Sequence, residues 1–201
     1  MLAYIKLSPP FPTKLLPTSM QRLLEEVKKD RELGQASEGE GPPPVLYLDC
    51  RGVDITSPTQ FANAIRELIT KDAGLINWWK MLGELVASGK IKLPGYEANL
   101  GTIFTPAANK APMASIIDSL TTFLEATRPL PYKPVLIIDE ANVLMEWSDD
   151  PGHKQLKALL RFFVKTTKVK HLGHFVLASS ESFVIDFLEK GELRKCVLAM
   201  L

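Results

Sequence analysis

The stretch Pro134-Val-Leu-Ile-Ile-Asp-Glu-Ala-Asn-Val-Leu144 limits most severely what this chain can fold into. Val135 to Ile138 form a short unbroken apolar run rich in β-branched residues, followed at once by Asp139 and Glu140. Such a run reads as a strand buried on both faces, as in a parallel sheet. Two adjacent carboxylates at its end are costly to bury without partners or a task. In an open α/β sheet the carboxyl ends of the strands border the ligand crevice. An acid pair there suits Mg²⁺, which prefers carboxylate, water and phosphate oxygens.

Two more segments share this design. Val45-Leu-Tyr-Leu-Asp49 is a predicted strand ending in an acid, and His174-Phe-Val-Leu-Ala178 runs into Ser179, Ser180 and Glu181. If the three strands are parallel, Asp49, the Asp139–Glu140 pair and the two serines line one edge of the sheet. Asp49 alone is better read as a loop or helix cap, whereas the acid pair is read as functional. Leu2 to Leu7 is a candidate first strand, and Cys196 to Leu201 a candidate last one.

Helical stripes lie between these segments. Thr18 or Ser19 can cap a helix whose apolar face is Met20, Leu23, Leu24 and Val27. Ser57-Pro58 opens another, with Phe61, Ile65, Leu68 and Ile69 buried. Leu75 to Val86 forms a third, in which Trp78 and Trp79 read as core in preference to a partner surface. Met113 to Leu124 is a fourth; a fifth begins at the turn 148–152 with the face Leu156, Leu159, Leu160 and Phe163; a last covers Phe183 to Lys190. Residues 88–112, with several Gly and Pro and no strong period, read as an irregular insertion or lid. The alternation predicts an α/β fold with a mostly parallel sheet and right-handed crossovers. Residues 1–201 read as a single domain.

Composition removes several classes of function. Lys and Arg number 24 against 23 Asp and Glu, so the net charge of +1 gives no bulk electrostatic case for nucleic acid or an anionic membrane. No apolar run reaches the roughly 18 residues of a membrane span, and the N-terminus has no basic leader of a signal peptide. Cys50 and Cys196 do not suggest a disulfide framework; an intracellular, cytoplasmic setting is the default. His171 and His174 read as solvent-facing loop or strand-edge residues, and no zinc spacing is present.

Three of these stretches together resemble the archaeal-type ATPases of the STAND and AAA+ group of P-loop NTPases. Tyr47-Leu-Asp-Cys-Arg51 is similar to that family's second strand, Val135 to Ala141 to its Walker B motif, and Phe175 to Phe183 to the strand ending in a polar sensor. The resemblance implies a three-layer P-loop NTPase-like sandwich with helices on both faces, and ATP and Mg²⁺ as ligands. It implies that Asp139 holds the Mg²⁺ shell, Glu140 polarises the attacking water, and Ser179 or Ser180 senses the γ-phosphate. It also implies a partner protein or appended domain, and it admits an oligomer.

The Walker A loop, G-x-x-x-x-G-K-[ST], has no counterpart. With its Ser/Thr aligned on Thr18, Phe11, Leu16 and Pro17 fall where Gly, Gly and Lys belong. That loop offers backbone N–H groups to phosphate, and Pro9, Pro10, Pro12 and Pro17 have none to offer. Thr18 and Ser19, at a capped helix start, are the remaining candidates for a phosphate contact. Either the chain is a degenerate ATPase or it is truncated or incomplete at its front. The expectation is an ATP-binding domain with weak or lost Mg²⁺-dependent hydrolysis. The alternative is a non-catalytic interaction module on a pseudo-ATPase fold, with Trp78, Trp79, Trp147 and residues 88–112 as its surface. Nucleic-acid binding has only the fold group's habits behind it; neither charge nor a basic stripe supports it.

Overall fold

A computed structural model describes residues 3–5, 45–90, 92–93, 96, 99–106, 110–130, 133–147, 149–179 and 198–200. Three strands form a parallel sheet: β2 (Val45–Asp49), β3 (Val135–Asp139) and β4 (His174–Leu177), in the order β2-β3-β4. Asp49 stands in register with Asp139, and Ile138 with Leu177. The run that dominates the sequence is therefore the middle strand, and it is buried from Leu136 onward. Tyr47 and Asp49 are half-buried while Leu46 and Leu48 are buried, the alternation of a strand at one side of the sheet. β1 (Ala3–Ile5) and β5 (Leu198–Met200) form a separate antiparallel pair, and β1 approaches β4.

The helices begin where local chemistry permits. Ser57 caps α1 (Pro58–Lys71) by accepting from the Gln60 N–H at 3.2 Å. Asp72 caps α2 (Ala73–Ala87) through the Leu75 N–H at 2.6 Å. α1 packs on β2, α2 and α4 (Pro112–Ala126), burying Phe61, Ile65 and Ile69. The predicted insertion contains a short helix, α3 (Leu100–Ile103), tied to α1 by Arg66 Nε donating to the Phe104 carbonyl at 2.7 Å.

Trp79 stacks on Tyr96 with ring centroids 5.0 Å apart and lies 5.3 Å from Phe123. Trp147 donates its indole N–H to the Ile55 carbonyl at 2.9 Å and packs against Phe61. Trp78, Trp79 and Trp147 are all buried, so the three tryptophans belong to the core and supply no partner surface.

α5 (Lys154–Val164) starts under the buried Asp150 carboxylate, which accepts from the Gln155 and Leu156 N–H groups at 2.9 to 3.0 Å. It runs on through a π turn, Lys165–Val169, and Phe163 stacks on Phe175 of β4 at 4.2 Å. His171 is exposed in the loop before β4, and His174 stands at the strand's edge. It heads β4, half-buried, and burial followed by the nearby Lys133 charge lowers its pKa. The predicted helices over Met20 to Val27 and Phe183 to Lys190 lie outside the described residues. Among the described residues, no helix is long and apolar enough to cross a membrane.

Candidate functional site

The site is built at the carboxyl end of the parallel sheet. Main-chain hydrogen bonds continue past the strands: Cys50 N–H to the Asp139 carbonyl at 3.2 Å, Ala178 N–H to Ile138 at 2.9 Å, and Ala141 N–H to Ala178 at 2.8 Å. These bonds hold the three strand tips side by side. At the end of β3 the chain turns at once, because Glu140 adopts a left-handed conformation with φ 52° and ψ 46°. For a residue with a Cβ this costs about 1 kcal/mol or more, and such strain collects at functional sites. A 3₁₀ helix, Ala141–Glu146, follows directly; the sequence pattern had not revealed it.

Asp139 is nearly buried, with a side-chain exposure of 10%. Its Oδ2 accepts from the Tyr47 hydroxyl at 2.6 Å and from Arg51 Nη2 at 3.1 Å, while Oδ1 accepts from the Glu140 N–H at 3.1 Å. Tyr47 reaches Asp139 because register partners share a face of the sheet, and Asp139 lies two residues beyond Ile137, the partner of Tyr47. Burial, then the hydrogen bond to Asp139, pushes the Tyr47 phenol well above its ordinary range. Burial, then the charges of Asp49, Asp139 and Glu140, pushes the Cys50 thiol up to about 12. At neutral pH this thiol is an inert filler.

Arg51 spans the three acids. Its Nε lies 3.4 Å from Asp49 Oδ1, its Nη2 3.1 Å from Asp139, and its Nη1 3.6 Å from Glu140 Oε1. Asp49 fixes the approach by also accepting from the Arg51 N–H at 2.9 Å, a local turn that agrees with its reading as a cap. On the other side of Glu140 stands the buried Asn142. Its amide nitrogen donates to Glu140 Oε2 at 2.9 Å and to Ser179 Oγ at 3.2 Å. The opposite amide orientation would set its carbonyl oxygen against the carboxylate. Asn142 thus couples the acid pair to the neighbouring strand tip.

Asp139, Glu140 and Ser179 are therefore gathered in one place. Ser180, Thr18 and Ser19 lie outside the described residues. Sequence reasoning passed over Tyr47, Arg51 and Asn142. The face-sharing of Tyr47 and Asp49 was a usable signal. The reach of Arg51 depends on the Asp49–Asp139 register, which no single segment reveals.

The Mg²⁺ expectation meets an obstacle here. A guanidinium already stands against Asp139 and Glu140, and both Asp139 oxygens accept hydrogen bonds. Among the described residues no group of three or more His, Cys, Asp or Glu side chains is arranged to hold a metal. Mg²⁺ needs only one or two carboxylates beside water and phosphate, but this donor set, as arranged, does not fit a divalent ion next to Arg51.

No family model matches this sequence, and no solved structure matches it. Curated relatives do. An uncharacterized ATP-binding protein of Methanocaldococcus jannaschii is 27% identical over 157 residues, covering 74% of this chain and 42% of the relative. A second from the same organism is 26% identical over 161 residues, covering 74% and 43%. An uncharacterized ATP-binding protein of Pyrococcus abyssi is 24% identical over 141 residues, covering 70% and 40%. The chain spans about two fifths of the length of these relatives.

Proposed function

We propose that this chain is an ATP-binding α/β unit of the P-loop type, allied to the archaeal ATPases of the STAND and AAA+ group, with hydrolysis weak or lost. The observation that carries the reading is the acid pair at the tip of the middle strand of a parallel sheet, linked through Asn142 to Ser179 on the adjacent tip. The names of the distant relatives support ATP as the ligand.

Each side chain then has a role toward the nucleotide. Glu140, held between Arg51 and Asn142, is the group that would orient water at the terminal phosphate. Ser179, with Ser180 next in the chain, would donate to that phosphate from the β4 tip. Thr18 and Ser19, outside the described residues, remain the sequence's candidates for a phosphate contact. Asp139 is the family's metal-holding position; with Arg51 seated on it, no step is assigned through a metal. That neutralisation of the acid pair supports slow or absent turnover independently of the missing glycine loop.

Calorimetric titration with ATP, with and without Mg²⁺, tests the reading on wild type, Asp139→Asn and Glu140→Gln. We expect saturable heat for wild type and Glu140→Gln, a weakened response for Asp139→Asn, and phosphate release near the uncatalysed level. No heat with any of the three would leave the interaction module, which would then need a surface other than its buried tryptophans.

A further inference from the structure

The near-zero net charge conceals a sharp segregation, and the expectation of no basic stripe is corrected on α5. Six of the 24 Lys and Arg residues fall between 154 and 170, and none of the 23 Asp and Glu falls between 151 and 180. Lys154, Lys157, Arg161, Lys165 and Lys168 follow one another at steps of three and four residues, which puts them on one side of α5 and its π turn. Lys154, Arg161 and Lys165 are exposed, and Lys157 and Lys168 are half-exposed. Lys170 is drawn away by Glu125 of α4 at 2.8 Å. Among the described residues no carboxylate lies within ion-pair distance of Lys154, Lys157, Lys165 or Lys168.

Helix stability does not explain this pattern. Lysines in the last turn complement the helix dipole, but Lys154 and Lys157 sit in and beside the first turn, where acids are favoured and none is present. Like charges three and four residues apart also repel. Among the described residues, the capping Asp150 carboxylate and a bond from Lys157 Nζ to the Gly152 carbonyl at 3.1 Å offset part of the cost. A row of cations kept against local preference suits a row of anions on a partner.

We propose that this face of α5 is a docking stripe for the phosphate backbone of duplex nucleic acid, bound without sequence selection. From Lys154 to Lys168 the stripe runs about 21 Å at about 1.5 Å per residue. Phosphates along one strand of a duplex recur every 3.4 Å or so of axis, so several lie within its reach. The exposed face offers no aromatic platform for unstacked bases: Phe162 is half-buried against Phe163 and Phe175. A membrane-surface helix would have to present its apolar face to lipid, and here Leu156, Leu159, Leu160 and Phe163 are buried in the core. The inference stands apart from the ATP reading and requires no nucleotide in its test.

The test is fluorescence anisotropy of a labelled duplex of arbitrary sequence, titrated with the full chain at rising KCl. Four lysine–phosphate contacts predict a slope of log K against log salt of about −3.6. Replacing Lys154, Lys157, Lys165 and Lys168 together by Gln should weaken binding at low salt at least about tenfold and flatten the slope, while Lys→Arg at the same four positions retains both. The thermal midpoint of the Gln variant should equal or exceed wild type. Should that variant fail to fold, Lys154→Gln and Lys168→Gln singly should each reduce the slope by about one. Absence of duplex binding by wild type at low salt would overturn the proposal. So would undiminished binding by the Gln variants, or binding to phosphatidylserine vesicles without binding to duplex.

Discussion

The two ends of the parallel sheet are built from opposite chemistry. At the carboxyl end, Asp49, Asp139, Glu140, Arg51, Tyr47, Asn142 and Ser179 form a continuous polar network over a few strand residues. At the amino end, Leu46, Leu136 and Phe175 meet Leu120, Phe123 and Leu124 of α4 around a narrow apolar crevice, which His174 lines with the charge of Lys133 nearby. Gly173 keeps this end closed: a Cβ there would lie 3.1 Å from a Leu124 methyl carbon and 3.3 Å from the Pro134 carbonyl oxygen. The difference teaches that stability and chemistry are divided along the strand axis. The apolar end anchors the sheet to the helical layer, and the polar end carries strain and charge that stability alone would not select.

This division can be broken or sharpened by substitution. The largest effect belongs to the apolar end: Phe123→Ala should cost about 3–5 kcal/mol in urea denaturation, as a large buried ring is lost. The folded fraction should keep its ATP heat; its disappearance would mean that the two ends are not separable. Asp139→Ala should cost about 1–3 kcal/mol, because Tyr47 and Arg51 lose their shared acceptor, and should weaken the ATP heat as Asp139→Asn does. Tyr47→Phe removes one hydrogen bond and should cost about 1 kcal/mol at neutral pH.

Tyr47→Phe should also alter the alkaline limb of stability. A phenol whose pKa is raised on folding stabilises fully below its unfolded value of 10.0, and that contribution is lost as pH climbs above it. Cys50 acts with the same sign between 9.0 and about 12. The wild-type decline above pH 9 should therefore be shallower in Tyr47→Phe. The smallest effect is expected at His174, and its sign is reversed. Its pKa is lowered on folding, so its contribution is present above 6.5 and lost as pH falls below that value. His174→Gln should flatten the acid limb of a plot of denaturation midpoint against pH and leave the alkaline limb alone.

Much of the scaffold was legible because its signals are local. The apolar run Val135–Ile138 with its acid tip gave the middle strand, and Ser57-Pro58 gave the start of α1. The acid pair and Ser179 were legible as strand tips. Their connection was not, because it passes through Asn142, an ordinary residue in sequence. Nor was the role of Arg51, which depends on β2 and β3 pairing with Asp49 opposite Asp139. The 3₁₀ helix was missed because it begins on a left-handed glutamate, a conformation that side-chain pattern does not encode. The basic side of α5 was visible residue by residue but cancelled in the sum of charges.

The main-chain bonds from Cys50 to Asp139, Ala178 to Ile138 and Ala141 to Ala178 have a consequence for how such a site can change. They owe nothing to the identity of the side chains above them, so the rim behaves as a fixed mount into which different tools can be fitted. Acid, amide or hydroxyl groups can be traded at these positions while the mount keeps its shape, and a lineage could pass from turnover to mere sensing without rebuilding the sheet.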